Sequence, residues 1–414
     1  MDERIMVLLG AGASVEAGLP TSTQLTQRIV EDISRSSNGA YRGLSPAINF
    51  AIGALIAHDT ARGGDAFAGV DVERLFAAVR MLSDRDNLEI APFVSAWSDG
   101  LRFMRRKGRM PAFFKDNFSR ALTTGSGTTL DRLFADAVRA VVNEATADEI
   151  FAELGGDMIG SLRGCLDLDG SSVDYLAPLL ARSDDTTTIA TLNYDRSIEL
   201  LAGRAGLDLT TGIDLWSGGY DWDWEAGKDV YLLKLHGSLD WRIEMEQTEN
   251  GMAHEVVRSF LKSDNDGFQR LGAANLGVIF GQREKLRADG PFLAMLREFG
   301  EMLKTCERLV VVGYSFRDDH INAAIRRWFT DRPKPKVTLI DPMLADEQWV
   351  YSRISPFLKE LLRAMREGYS NEFKPEHQLL GVGAGAGLRQ VFGDGPELQP
   401  VDIVRHALAS PSED

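Results

Sequence analysis

Short, uninterrupted apolar runs, most of them ending in turn residues, set the hydropathy pattern of this chain. They fall at 5–9 (IMVLL, followed by Gly10), 187–192 (TTIATL), 230–235 (VYLLKL), 276–280 (LGVIF), 309–312 (LVVV) and 337–340 (VTLI). Runs that are apolar without alternation are what strands of a parallel sheet need when both of its faces are buried. Helical patterns lie between several of them, as at 291–304 and 320–329. Strands alternating with helices predict βαβ units, hence an α/β fold with a Rossmann-like, doubly wound parallel sheet. From about 35 to 185 the pattern changes to amphipathic helical stretches, including 72–82, 88–105 and 130–154, with no strand signal. The expected organisation is an α/β core built from 1–34 and 186–414, ending in a C-terminal extension, with a large helical insertion at 35–185. Loops are expected at 34–41 and 62–69. The segment 381–395 (GVGAGAGLRQVFGDG) is glycine-rich, and 409–414 reads as a frayed tail.

Composition narrows the function classes. The 414 residues are enough for two or three domains and a large core. Lys and Arg number 46 against 61 Asp and Glu, a formal net charge of −15, which argues against strong direct nucleic-acid binding. Two cysteines, Cys165 and Cys306, cannot build a four-cysteine zinc site or a disulfide framework. Their scarcity fits a reducing cytoplasm. The first apolar run is too short for a signal-peptide core or a membrane span, and no later run is long enough. A soluble, acidic, cytoplasmic protein is expected, with no evident cluster of metal ligands.

Four constellations sit where strands end, and ligands of open α/β sheets bind at the carboxyl ends of strands. Gly10-Ala11-Gly12-Ala13-Ser14 follows the first run and continues to Gly18-Leu19-Pro20-Thr21. Glycines let backbone amides approach a phosphate, and a helix start there would add its dipole; a plain strand-to-helix turn is the other reading. The spacing is not G-x-G-x-x-G, and no lysine follows as in a phosphate-loop NTPase. Thr191-Leu192-Asn193-Tyr194-Asp195 ends the second run. Asn193 can donate and accept, and so hold a water or a ribose hydroxyl; Asn193 or Asp195 can equally cap the next helix. His236-Gly237-Ser238 follows the third run. His236 is either an acid–base residue or a structural histidine bonded to a carbonyl. Gly313-Tyr314-Ser315-Phe316 follows LVVV and precedes Asp318-Asp319-His320, where either aspartate can cap a helix. Ser315 can bond a phosphate or ribose. Asp341 follows VTLI and either accepts ribose hydroxyls or serves as a turn aspartate before Pro342.

Taken in order, Gly10-Ala-Gly-Ala-Ser14 with Gly18-Leu-Pro20, Leu192-Asn193-Tyr-Asp195, Leu235-His236-Gly237-Ser238 and Val312-Gly313-Tyr314-Ser315 resemble the sirtuin-like fold. They look most like the bacterial sirtuin-like NAD hydrolases of antiviral defence, over residues 5–22 and 187–341. The resemblance implies NAD as substrate, with no metal. It implies that the Gly10-Ala11-Gly12 loop holds the NAD pyrophosphate, that Ser14, Pro20 and Thr21 also bind the cofactor, that Asn193 and His236 are catalytic, and that Asp195 positions. Gly313 and Ser315 would lie near the adenosine half and Asp341 near its ribose. Two departures from the deacylating sirtuins disfavour an acyl-lysine substrate: the missing four-cysteine zinc module, and Thr21-Ser22-Thr23 in place of an acidic-aromatic-arginine run.

The implied reaction is cleavage of the nicotinamide–ribose bond through an oxocarbenium-like ribose, as in glycoside hydrolysis. Asn193 would place the water or the ribose, and His236 would act as general base. Such an activity drains its host and needs gating. The same resemblance points to homo-oligomerisation and to a separate partner, a hexameric HerA-like ATPase or a short Argonaute-type protein. Phe76, Leu82, Phe93, Trp97 and Phe103 offer either an oligomer face or helix packing. Trp216, Trp222 and Trp224 offer either a base-stacking lid or a small core. The rival readings are a non-catalytic NAD or ADP-ribose sensor, a nuclease subunit and a protein deacylase.

Overall fold

A computed structural model describes residues 3–36, 44–65, 69–84, 88, 147–168, 170–181, 187–247, 251–259, 276–278, 290–345, 354–367 and 375–396. Its elements in chain order are β1 (Ile5–Leu9), α1 (Ser22–Arg35), α2 (Leu44–Thr60), α3 (Val72–Ser83), α4 (Ala147–Cys165), β2 (Thr187–Thr191), α5 (Ser197–Ala205), β3 (Leu209–Thr210), β4 (Val230–Lys234), β5 (Gly237–Gln247), β6 (Ala253–Ser259), β7 (Leu276–Val278), α6 (Phe292–Thr305), β8 (Arg308–Val312), α7 (Asp319–Asp331), β9 (Lys336–Ile340), α8 (Pro356–Glu367), β10 (Glu376–Leu380) and α9 (Ala384–Phe392). Short 3₁₀ segments lie at Ala11–Ser14, Gly170–Leu180, Ile213–Leu215 and Pro342–Ala345.

Seven strands form one sheet in the order β10-β9-β8-β1-β2-β4-β3, every pair parallel. The expected α/β, Rossmann-like parallel sheet is thus the observed one. The apolar runs are continuous because both sheet faces are covered. Met6, Leu8, Leu233, Leu309, Val311, Val337 and Leu339 pack with α6, α7 and α8 in one core. Val7, Leu9, Ile189, Leu232, Val310, Val312 and Ile340 pack with α5, α9 and the 170–180 segment in the other. Successive residues of each strand alternate between the two cores, as the period of a strand requires.

Chain order places β1 at the centre, with β2 on one side and β8 on the other. Strand order reverses there, and ligands of such sheets bind at that reversal, beyond the carboxyl ends of the strands.

Several expectations are corrected. The run at 276–280 was expected as a strand of the parallel sheet. Its described part, β7, lies instead in a separate antiparallel sheet of order β6-β5-β7. Its β5–β6 hairpin is half-exposed, and the mixed polar and apolar sequence of those strands hides the sheet from a search for continuous apolar runs. The glycine-rich stretch at 381–395 is not a loose extension. It follows β10, turns, and forms α9, whose Gly385 amide donates to Glu16 Oε1 at 3.1 Å.

The chain divides into two compact units, 1–22 with 163–414, and 23–162. The expected boundary at 34/35 falls within α1, and the 170–180 segment packs on α5 and α9 of the sheet unit. The sequence pattern predicts helix over residues 88–105 and 130–154. Of these only residue 88 and 147–154, the latter inside α4, lie among the described residues. Trp216 and Trp222 are buried in the sheet unit's core with Trp224 packed against it, so the tryptophan cluster is core rather than lid.

The second unit holds most of α1, with α2, α3 and the bulk of α4. Leu25, Ile29 and Ile33, and Leu75, Phe76 and Val79, are buried at helical spacing. Phe76 therefore packs inward rather than offering an oligomer face; Leu82 is half-buried, and Phe93, Trp97 and Phe103 lie outside the described residues.

Arg74 of α3 binds Asp59 at the end of α2 through both guanidinium nitrogens, Nη2 donating to Oδ1 at 2.7 Å. The Arg74 hydrogen bonds hold the Asp59 carboxyl down to about 2. A lowered folded-state pKa stabilises above the ordinary value of 3.8, and the gain is lost as pH falls toward 2. The pair is more than a third exposed, so solvent screens it. Asp59→Asn should cost about 0.5 kcal/mol at pH 7. In urea melts of the two proteins that gap should narrow below pH 4 and close near pH 2.

Candidate functional site

Four loops leave the carboxyl ends of the adjacent strands β8, β1, β2 and β4, which are spaced about 4.8 Å apart. Each is bonded to the next, and together they close a ring. Between the β1 and β8 loops, Gly10 N donates to Val312 O and Gly12 N to Gly313 O, each at 2.9 Å. Between the β1 and β2 loops, Asn193 Nδ2 donates to Gly10 O and to Ser14 Oγ at 2.9 Å, and Ser14 Oγ donates to Asp195 Oδ2 at 2.8 Å. Between the β2 loop and the segment that leaves β4, Leu239 N, just inside β5, donates to Tyr194 O at 3.3 Å, and the rings of Tyr194 and His236 stand 6.1 Å apart. Between the β4 and β8 loops, His236 Nε2 lies at hydrogen-bond distance, 2.9 Å, from Asp318 Oδ2.

The glycines explain how two loops come this close. A Cβ on Gly10 would stand 2.6 Å from Gly313 O, and one on Gly12 2.7 Å from Gly313 Cα. Gly313 has φ of +59°, and a Cβ there would overlap the backbone of Gly12 and Ala13. The chain after Gly10 makes a single 3₁₀ turn, and the first α-helix begins only at Ser22. The Gly12 and Ala13 amides are spent within the loops, on Gly313 O and Gly10 O. The expected helix start at this loop is therefore not what the fold builds; its glycines serve loop-to-loop approach. Ala11 is exposed at the tip, Pro20 is buried and Thr21 half-buried at the entry to α1.

Asn193, 8% exposed, is held by both its amide hydrogens. What it can still offer a ligand is its Oδ1, an acceptor. Ser14 is buried, and its hydroxyl brackets Asn193 and Asp195. Asp195 Oδ1 accepts from Ser197 N at 2.9 Å and from Ser197 Oγ, so this aspartate ties down the first residue of α5. His236 is 4% exposed.

In the β8–α7 loop Asp318, not Asp319, caps α7, accepting from His320 N at 3.0 Å and Ile321 N at 3.4 Å. Phe316 adopts φ of +54°, uncommon for a residue with a side chain. Packing holds it there: its ring lies 4.7 Å from that of Tyr314 and 5.8 Å from that of Phe357, and Asn322 Nδ2 donates to its carbonyl at 3.0 Å. Ser315 is exposed beside it. Asp341 accepts from Met343 N at 2.9 Å, a turn bond, and burial pushes its carboxyl up. The ring thus unites Gly10, Gly12, Ser14, Asn193, Asp195, His236 and Gly313. Asp341 stands at the next strand end beyond β8.

Two residues of this ring were not singled out as site residues from sequence. Lys234, fully buried at the end of β4, donates to Asp195 O at 2.7 Å and to Glu199 Oε1 at 2.6 Å. Burial pushes Glu199 up, against the pull of Lys234. A lysine inside VYLLKL is the signal that could have found it, because a buried cation demands partners. Asp318 was legible only as a cap, since nothing in the sequence pairs it with a histidine 82 positions earlier.

Residues 187–350 match a family model described as SIR2-like domain. The match spans well under half of the 414 residues and takes in the Asn193, His236 and Gly313 loops. It supports the sirtuin-like family and, with it, binding or use of NAD. Its range begins after the β1 loop, which joins the matched region through β1's pairing with β2 and β8. No curated protein matches the chain. Among the described residues no group of His, Cys, Asp and Glu is arranged to hold a metal ion, and no helix is long and apolar enough to cross a membrane.

Proposed function

We propose that this chain hydrolyses NAD at the bond between nicotinamide and ribose. The observation that carries the reading is the ring of four loops at the strand-order reversal, with Asn193 and His236 each clamped in one orientation. Nicotinamide leaves as a neutral base from a cationic linkage, so departure needs little acid. Positive charge then develops on the ribose, and groups that meet it must accept rather than donate. Asn193 meets that demand, because its amide hydrogens are committed and its Oδ1 is an acceptor. His236, backed by a carboxylate, takes the proton of the attacking water. The products balance as nicotinamide, ADP-ribose and one proton from NAD and water.

By the resemblance in sequence, the activity belongs to cytoplasmic antiphage defence. It is held in check until the chain self-associates and meets a separate partner, a hexameric HerA-like ATPase or a short Argonaute-type protein. The net charge of −15 favours a protein partner over direct contact with nucleic acid.

The test is nicotinamide release from NAD in H₂¹⁸O by the purified chain, alone and with the product of a neighbouring gene. Hydrolysis places one ¹⁸O in ADP-ribose. Tight NAD binding without release in any condition would replace the hydrolase by a sensor, and absence of binding would remove NAD from the account.

A further inference from the structure

Asp318 does two things at once. Its Oδ1 accepts from the His320 and Ile321 amides at the start of α7, and its Oδ2 lies 2.9 Å from His236 Nε2. Both side chains are 5% exposed. The aspartate is fixed from its backbone as well: its N–H donates to Tyr314 Oη at 3.1 Å, and Tyr314 Oη donates to Asn322 Oδ1 at 3.1 Å. Turning the carboxylate away from the ring would therefore cost the helix its cap. An ionised carboxylate only accepts. The hydrogen between the two groups belongs to Nε2, and the lone pair of the neutral imidazole then falls on Nδ1.

We propose that Asp318 is the positioning residue of this site: by holding Nε2–H it makes Nδ1 the basic nitrogen of His236 and fixes where the ring is aimed. The proton step rests on the NAD-hydrolysing reading; the choice of tautomer does not. In that step the water oxygen bonds to the ribose carbon while the bond to nicotinamide breaks, its electron pair leaving with nicotinamide. The water proton passes to Nδ1, and the Nε2–H of the resulting imidazolium remains on Asp318. A third group that orients the base is the arrangement general to activated nucleophiles.

Asp318→Asn separates this role from a purely structural one. The amide keeps an oxygen for the α7 amides and has nearly the same shape. It places an N–H₂ group where Oδ2 stood, which donates to Nε2 and drives the ring hydrogen to Nδ1. The whole chain would be labelled with ¹⁵N-histidine, and the His236 signals identified by their loss in His236→Gln. The expected result is a wild-type ring protonated at Nε2 and a variant ring protonated at Nδ1. Nicotinamide release should fall roughly 10²-fold or more, with thermal unfolding unchanged. A wild-type hydrogen on Nδ1, an unmoved hydrogen in the variant, or a moved hydrogen with full turnover would each overturn the assignment. If neither protein releases nicotinamide, alone or with the neighbouring gene product, the hydrolase reading falls by itself, and the pair of spectra still decides for or against Asp318.

Discussion

His236→Gln is expected to lower the turnover of NAD by roughly 10²–10⁴-fold, the usual worth of a positioned proton acceptor. Glutamine can still reach Asp318 but has no basic nitrogen. Affinity for NAD should change little, because in the proposed step His236 acts on the water. Asn193→Ala should cause a similar loss with weaker binding as well. It removes the Oδ1 acceptor and also releases Gly10 O and Ser14 Oγ, which the amide now bridges. Nicotinamide release measured beside NAD calorimetry separates the two patterns, and circular dichroism reports whether each variant is folded. Unchanged turnover in folded His236→Gln would mean that the histidine is structural.

Gly313→Ala should damage the sheet unit strongly. It forces a side chain into φ of +59° and against the backbone of the β1 loop. Left-handed backbone costs roughly 1–2 kcal/mol and overpacking a further 1–3 kcal/mol, so a total of about 2–5 kcal/mol is expected. The β1 loop must also move away, taking with it the partners of Asn193. Urea unfolding should show the stability loss, and NAD affinity should fall even where the variant folds. Gly156 is the control. It lies inside α4 with open space where a Cβ would go, and Gly156→Ala should stabilise by about 0.5–1 kcal/mol. Equal effects at the two glycines would refute the loop-contact argument.

The sheet was legible where its physics leaves a one-sided record. Strands buried on both faces have to be apolar throughout, so β1, β2, β4, β8 and β9 could be read from hydropathy alone. β10 (EHQLL) lies at the sheet edge with three exposed residues, and an edge strand needs no such run. β5 and β6 mix charged and apolar residues because the hairpin is only half covered. For the site, the rule that ligands gather at strand ends located the loops of Asn193, His236 and Gly313. The same rule could not say what Asn193 and Ser14 do for each other, because that depends on two loops meeting across 179 positions of sequence. The glycine loop shows the limit from the other side. The glycines were legible as a close approach, but the thing approached is another loop of the same chain.

The placement of β1 carries a consequence in time. Val312 of β8 is made some three hundred residues after Leu9, its partner in β1. At ribosomal rates of about 5–20 residues per second, that gap is on the order of tens of seconds. During it, the β8 edge of IMVLL stands open, and the Gly10 loop lacks its partners Val312 and Gly313. The ring of loops cannot close before the loop of Gly313 and Asp318 has been made. Synthesis itself therefore withholds the complete ring until β8 and the loop that follows it have been made.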